Sequence, residues 1–260
     1  MSTVNFNFSG ERFVITGASS GIGRQTALEL VKSGAEILAI GRSSEKLEAL
    51  KKENPEKICT AAFDVTDSEA LELAIKNFVQ EKGKLNGAVH AAGISDMTPL
   101  KFYSVETVKK IMDVNFIAGM ELLRLVTKSK YSDAGTSTVL FSSIAAITAA
   151  KGMFAYAASK AAINSAIRSV ASEISSKRHR VNSVLPGWVI TPMTESLSST
   201  HDIEAVLAKH LLGAGKPEDV TGIILFLLSD AARWITGSNI VADGGGGYLC
   251  MSYLNLREEK

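Results

Sequence analysis

Short apolar runs alternate with helix-patterned stretches along almost all of this 260-residue chain, and that alternation leaves few folds open. Arg12 to Thr16, Glu36 to Ile40, Lys57 to Phe63, Gly87 to Ala91, Ser137 to Ser142, Val181 to Leu185 and Ile240 to Ala242 read as strands, about seven in all. Gly23 to Ser33, Ser44 to Lys52, Asp67 to Glu81, Val105 to Lys130, Met153 to Ser176 and Glu218 to Ser229 read as helices between them. Continuous apolar runs suit strands buried on both faces. The pattern predicts an α/β fold: a parallel sheet with helices on both faces and right-handed crossovers. No Pro/Ser-rich linker or internal repeat divides the chain, so residues 1–260 are expected to form a single domain.

Charge and cysteine usage exclude several function classes. Lys+Arg 28 against Asp+Glu 27 gives a net charge of +1, which supplies no bulk attraction to nucleic acid or membrane. Cys59 and Cys250 lie far apart, and His90, His179, His201 and His210 are scattered, so no metal site is expected. A reducing cytoplasm fits this cysteine usage. The N-terminus, Met1 to Phe6, does not read as a signal peptide. No apolar run reaches the roughly 18 residues a membrane span needs. The hydrophobic share of 46% is ample for a sizeable core.

The turn after the first strand reads Thr16-Gly17-Ala18-Ser19-Ser20-Gly21-Ile22-Gly23. Glycines there let the backbone approach a pyrophosphate, while the following helix offers amide donors and partial positive charge. The second strand ends in Ile40-Gly41-Arg42-Ser43, where an NAD site would place a carboxylate on the ribose 2′-hydroxyl. A guanidinium instead suits a 2′-phosphate, with Ser19 as a further donor, so NADP(H) is the expected cofactor. The competing reading makes Arg42 a solvent-facing residue at a helix start.

Tyr156 and Lys160 stand four residues apart in an alanine-rich helical run and therefore share a face. A unit charge ~4 Å away at an effective dielectric of ~20 is worth roughly 4 kcal/mol. That is enough to lower a phenol's pKa from ~10 by about three. Tyr156 is thus expected to act as a general acid or base.

Taken together these features resemble the short-chain dehydrogenase/reductase family, over nearly the whole chain from about Phe8 to Gly247. The markers are the glycine turn, Asp64-Val65, Asn115, Ser143, Tyr156 with Lys160, Pro186-Gly187 and Asp243-Gly244-Gly245. The resemblance implies a Rossmann-like, doubly wound sheet and reversible hydride transfer between a nicotinamide and an alcohol or carbonyl. It implies Tyr156 as proton donor in reduction and Lys160 as the group that lowers its pKa and binds the nicotinamide ribose. It implies Ser143 on the substrate oxygen, with neighbouring Ser142 fitting the spacing less well, and Asn115 anchoring a proton-relay water. Gly17, Ser19, Ser20, Gly21, Ile22 and Gly23 would line the phosphates. Asp64 and Val65 would meet the adenine, and Pro186, Gly187, Val189 and Thr191 the nicotinamide end. Where the family has Asn-Asn-Ala-Gly, this chain has His90-Ala91-Ala92-Gly93. Ala92 and Gly93 would still line the adenosine ribose, and His90 either replaces a lost asparagine contact or is a satisfied structural histidine.

Substrate identity is much less constrained. Ala145, Met153, Trp188 and parts of Thr191 to His210 are pocket candidates or ordinary packing. Lys209 and His210 would meet an anionic group or form a solvated helix face. Thr191 to Gly215 is expected as a lid, against the alternative of a plain surface excursion. The tail from Tyr248 to Lys260 would pack at a subunit interface or fray. The outline resembles the family's 3-oxoacyl-thioester reductases. Reductases of sugars, steroids or other small ketones are the alternative within the family, and a non-catalytic NADP-binding regulator is the alternative of another class. Apolar faces on the long helices, with the resemblance, imply a homotetramer or homodimer.

Overall fold

Strands β1 (Arg12–Thr16), β2 (Glu36–Gly41), β3 (Ile58–Ala62), β4 (Leu85–His90), β5 (Ser132–Phe141), β6 (Arg180–Pro186) and β7 (Asn239–Ala242) pair side by side. They form one parallel sheet in the order β3-β2-β1-β4-β5-β6-β7. This computed structural model describes residues 4–148, 151–197, 207, 208 and 210–247. The parallel, doubly wound α/β architecture expected from the alternation is present.

The helices between strands are α1 (Gly21–Lys32), α2 (Ser44–Lys51), α3 (Ser68–Lys82), α4 (Val105–Met112), α5 (Ala118–Val126), α6 (Phe154–Ile174), α7 (Pro192–Leu197) and α8 (Pro217–Leu228). Successive strand residues feed opposite layers. Phe13, Ile15, Ile37 and Ala39 pack with Ala27 and Leu30 of α1 and with Ile224 and Leu225 of α8. Val14, Leu38 and Ile40 face the other way, onto Ile75 and Phe78 of α3 and Leu122 and Leu125 of α5. Leu140 and Val181 meet Ile163 and Ile167 of α6 on that second face. Both faces are therefore dry, which is why the strand sequences carry apolar residues at consecutive positions.

One expected helix is interrupted. The run from Val105 to Lys130 consists of α4, a π-helical turn at Asp113–Ile117, and α5, which ends at Val126. Such turns are common at functional sites. This one carries Asn115 and leaves Val114 with its carbonyl available to the His90 ring.

The order in which strands are added reverses between β1 and β4, the topological switch point at which open α/β sheets bind ligands beyond the strands' carboxyl ends. The segment following β6 begins there too. It runs through Trp188, Val189 and Ile190, bridges Val189 to Gly215, and enters α7. The rest of the expected lid, including His201 and Lys209, lies largely outside the described residues, as does the tail from Tyr248 to Lys260. Among the described residues no helix is long and apolar enough to cross a membrane. Among them, too, no group of three or more His, Cys, Asp or Glu could hold a metal ion.

Candidate active site

A cleft of about 260 Å³ opens along the carboxyl edge of the sheet at the switch point. Its floor is the glycine turn, where the backbone at Gly17 and Gly23 sits too close to its neighbours for any side chain. Gly17 has φ +70°, and a Cβ on it would come 2.5 Å from the Ala92 nitrogen; one on Gly23 would come 2.4 Å from the Gly17 oxygen. Ser20 caps α1 without a side-chain hydrogen bond, and no acidic residue occupies the helix's first turn. The amides at this helix start therefore face the cleft with partial positive charge and no competing carboxylate. This cradle fits a dinucleotide pyrophosphate. Ser19, Gly21 and Ile22 line it as well.

The reactive corner sits where β5 ends and α6 begins. Along α6, Ala155, Ser159, Ile163, Ile167 and Ala171 repeat every four residues and bury one stripe. Lys160 rides at the edge of that stripe, only 3% exposed. Its Nζ donates to the Phe141 carbonyl at 2.8 Å and lies 5.6 Å from the Tyr156 ring centroid. Ser143 begins a 3₁₀ turn, and its hydroxyl accepts from the Ala145 amide at 3.1 Å. Ser143, Tyr156 and Lys160 all line the cleft. Ser142 lines it too, but its hydroxyl donates to the Lys160 carbonyl at 3.0 Å and ties β5 to α6.

The electrostatics of this corner differ from the expectation. Burial raises the Tyr156 phenol above the ordinary tyrosine range, and only the neighbouring Ser143 hydroxyl pulls it back. Burial also lowers Lys160, to about 7. The lysine is itself desolvated, so in the protein alone it is not the full cationic neighbour that would acidify the phenol.

At the other end, Arg42 is exposed beyond β2, and Ser19 is packed beside Gly41. Asp64 accepts from the Thr66 amide at 3.0 Å and the Thr66 hydroxyl at 2.8 Å. Those bonds, then Arg42 and Lys110, hold its carboxyl below the usual range against partial burial. Asp64, Val65, Arg42 and Lys110 all line the cleft. Lys110 was missed in the sequence reading. Its signal was a place one turn before Val114, which also lines the cleft. Pro186, Gly187, Val189 and Thr191 form the opposite wall, joined by Met193 and Thr194 of α7.

Several expected site residues lie elsewhere. His90, expected among the cofactor contacts, does not line the cleft and is fully buried. Its Nδ1 meets the Thr16 hydroxyl at 2.8 Å and its Nε2 the Val114 carbonyl at 3.1 Å. A carbonyl can only accept, so Nε2 carries the proton and Nδ1 accepts from Thr16. Burial, with Lys160 nearby, lowers this ring to about 3. His90 is thus the satisfied structural histidine, joining β4 to β1 and the π-turn, and the adjoining Ala92 and Gly93 do line the cleft. Asn115 stands behind Gly93: it exchanges hydrogen bonds with the Ile94 backbone and donates to Ser159 at 2.9 Å. Ala145, Met153 and Trp188 do not line the cleft. His210 is neither an exposed anion contact nor on a solvated face: it is buried, and its Nε2 accepts from the Trp188 amide.

The family model described as enoyl-(acyl carrier protein) reductase matches residues 17–246. A 3-oxoacyl-(acyl-carrier-protein) reductase of Thermotoga maritima is 35% identical over 240 residues, covering 91% of this chain and 97% of that protein. A D-erythrulose reductase of Gallus gallus is 32% identical, covering 93% and 97%. A solved short-chain type dehydrogenase/reductase from Mycobacterium ulcerans superposes with a TM-score of 0.87 at 30% identity, covering 94% of this chain and 92% of that one.

Proposed function

We propose that this chain, which belongs to the short-chain dehydrogenase/reductase family of oxidoreductases, is an NADP(H)-dependent enzyme interconverting a carbonyl and a secondary alcohol. The substrate class we favour is 3-oxoacyl thioesters. The observation that carries the reading is Ser143, Tyr156 and a buried Lys160 lining one cleft together with the glycine cradle.

Bound in that cleft, a nicotinamide would supply the hydride. The chain's own residues do the rest. In reduction, negative charge grows on the carbonyl oxygen, and the Ser143 hydroxyl and the Tyr156 phenol are fixed donors for it. Tyr156 passes its proton to that oxygen, and Lys160 favours the resulting phenolate when charged. Asn115 acts behind this pair by fixing Ser159 in α6, one residue before the lysine. Thr191 packs against Gly21, so the two walls of the cleft meet where the dinucleotide would lie.

NADP(H) rather than NAD(H) is supported by Arg42, with Ser19 packed beside the preceding Gly41 and Lys110 as a second cation lining the same cleft. A guanidinium suits a 2′-phosphate as a bidentate, charge-assisted partner, whereas a bare ribose hydroxyl offers it only a single neutral acceptor. Reduction of a sugar or another small ketone is the second reading, favoured by the resemblance to the D-erythrulose reductase over almost the whole chain. The cytoplasm and a homotetramer or homodimer belong to the same proposal. Trp234 at 97% exposure and Leu212 at 87% support a contact with a second copy, which light scattering tests.

NADPH and NADH consumption against a panel of 3-oxoacyl thioesters, sugars and simple ketones tests the function. Tyr156→Phe is expected to bind NADPH with nearly all turnover lost. A Tyr156→Phe enzyme at wild-type rate overturns the proposal, as does a wild type inert to every carbonyl.

A further inference from the structure

We propose that His210 is a positioning residue: through the backbone of Trp188 it sets the wall of the cleft that carries Val189 and Thr191. The inference rests on the reading that this cleft holds NADP(H). It assigns a role to a residue outside the cleft.

The wall is an arm of chain that continues beyond the sheet. The last β6–β7 register pair is Pro186 with Ala242. Gly187 then donates to the Ala242 carbonyl at 3.2 Å, and a Cβ on it would come 2.8 Å from the Asp243 backbone. From Trp188 onward the arm has left the ladder and needs other partners. Trp188 accepts from Gly215 at 2.9 Å, and Ile190 donates to Gly215 at 2.8 Å. The remaining Trp188 amide donates to His210 Nε2 at 2.9 Å.

That bond fixes the state of the ring. A backbone amide only donates, so Nε2 must present a lone pair, and the proton of the neutral ring sits on Nδ1. The ring is itself held. A Cβ on Gly246 would come 2.7 Å from it, and the Leu212 amide donates to Gly244 at 3.0 Å. His210 is thus wedged between the arm and the turn that follows β7, and it is 7% exposed. Removing its acceptor leaves a part-buried donor without this bond, and the arm must shift to replace it. Val189 and Thr191 move with it, and Thr191 is the residue packed against Gly21 of the phosphate turn. Small displacements of a cofactor wall are costly to turnover.

Gln and Asn variants separate positioning from space filling, because a Gln amide overlays Nε2 whereas an Asn amide overlays Nδ1. His210→Gln is expected to bind NADPH within about twofold of wild type. His210→Asn is expected to bind it about tenfold more weakly, the effect of one lost part-buried hydrogen bond. The KM for the carbonyl substrate should stay within about threefold in both, a split that general destabilisation does not produce. Wild-type NADPH affinity in the Asn variant, or equal weakening in both, overturns the inference. If the Asn variant does not fold, the Gln variant decides: near-wild-type affinity supports the role and tenfold weakening ends it. A wild type that binds neither NADPH nor NADH sinks the functional reading instead.

Discussion

Lys160 approaches the Tyr156 ring to 5.6 Å, yet its hydrogen bond goes to the Phe141 carbonyl on β5. The pairing of the two side chains on one helix face is therefore real, but the lysine's energetics are set by burial. Its amine is lowered to about 7, and the phenol is raised. The protein has carried the amine out of water, and half-buried the phenol, without a full counter-charge, a stability cost of the kind active sites carry.

That cost has a pH signature. The folded lysine titrates at about 7 and the unfolded one near its ordinary 10.5. Between those values the unfolded chain binds the extra proton, so stability rises with pH; below 7 the penalty is present in full. The urea midpoint of the cofactor-free protein is expected to climb from pH 7 to 9.5. Lys160→Met should flatten that climb and gain about 2 kcal/mol at pH 7, while losing turnover. Parallel wild-type and Met curves would show that the amine is not desolvated.

His90 acts with the same sign, in a more acid window. Its folded value of about 3 lies below the ordinary 6.5, so the unfolded chain binds more protons between them. Stability is then lost as pH falls through this window, by on the order of 5 kcal/mol in the limit. His90→Asn removes the titration but also breaks the Thr16 or Val114 contact, at about 1–2 kcal/mol near neutrality. Unfolding curves at pH 7.5 and 4.5 are expected to show the variant clearly weaker at the first and nearly level with wild type at the second. An equal deficit at both pH values would remove His90 as the acid-labile group.

What could be read from the chain follows which signals are local. Strand positions were legible because both sheet faces are dry, leaving unbroken apolar runs such as Phe13-Val14-Ile15. The glycine turn was legible because Gly17 and Gly23 have no room for a Cβ. The π-turn at Asp113–Ile117 was not, since an inserted residue leaves the local composition helical. Nor was the direction of the Tyr156 shift, which depends on how far the surrounding elements desolvate the phenol itself. The His90 orientation was recoverable in principle. Thr16 and His90 are register partners, and a histidine beside a threonine on two central strands has a bonding partner within reach.

Gly17→Ala tests the cradle. The substitution places a side chain at φ +70° and 2.5 Å from the Ala92 nitrogen, so backbone must move on both sides. The left-handed conformation costs about 1–2 kcal/mol, and overpacking adds typically about 1–3 kcal/mol. A thermal melt should show a clear loss of stability, together with loss of dinucleotide binding by fluorescence. A variant that binds as wild type would mean the phosphate turn lies elsewhere.

Arg42→Glu addresses the cofactor. The guanidinium is exposed at the end of β2, near the Asp64 carboxylate, which Lys110 also approaches. A 2′-phosphate placed there would lose a charge-assisted bond worth about 1.5–3 kcal/mol, roughly ten- to a hundredfold in affinity. It would also meet a second carboxylate beside Asp64. NADH has no phosphate at that carbon, and the new glutamate could accept from its ribose hydroxyl. The ratio of NADPH to NADH efficiency, measured as kcat/KM for each, should therefore fall by at least about tenfold, with NADH efficiency unchanged or raised. Raised salt should lower wild-type NADPH affinity more than that of the variant, because only the wild type uses an exposed cation on a dianion. If the wild type prefers NADH from the start, Arg42 is a solvent-facing residue at the α2 start. The 2′-hydroxyl would then fall to another group at that end of the cleft.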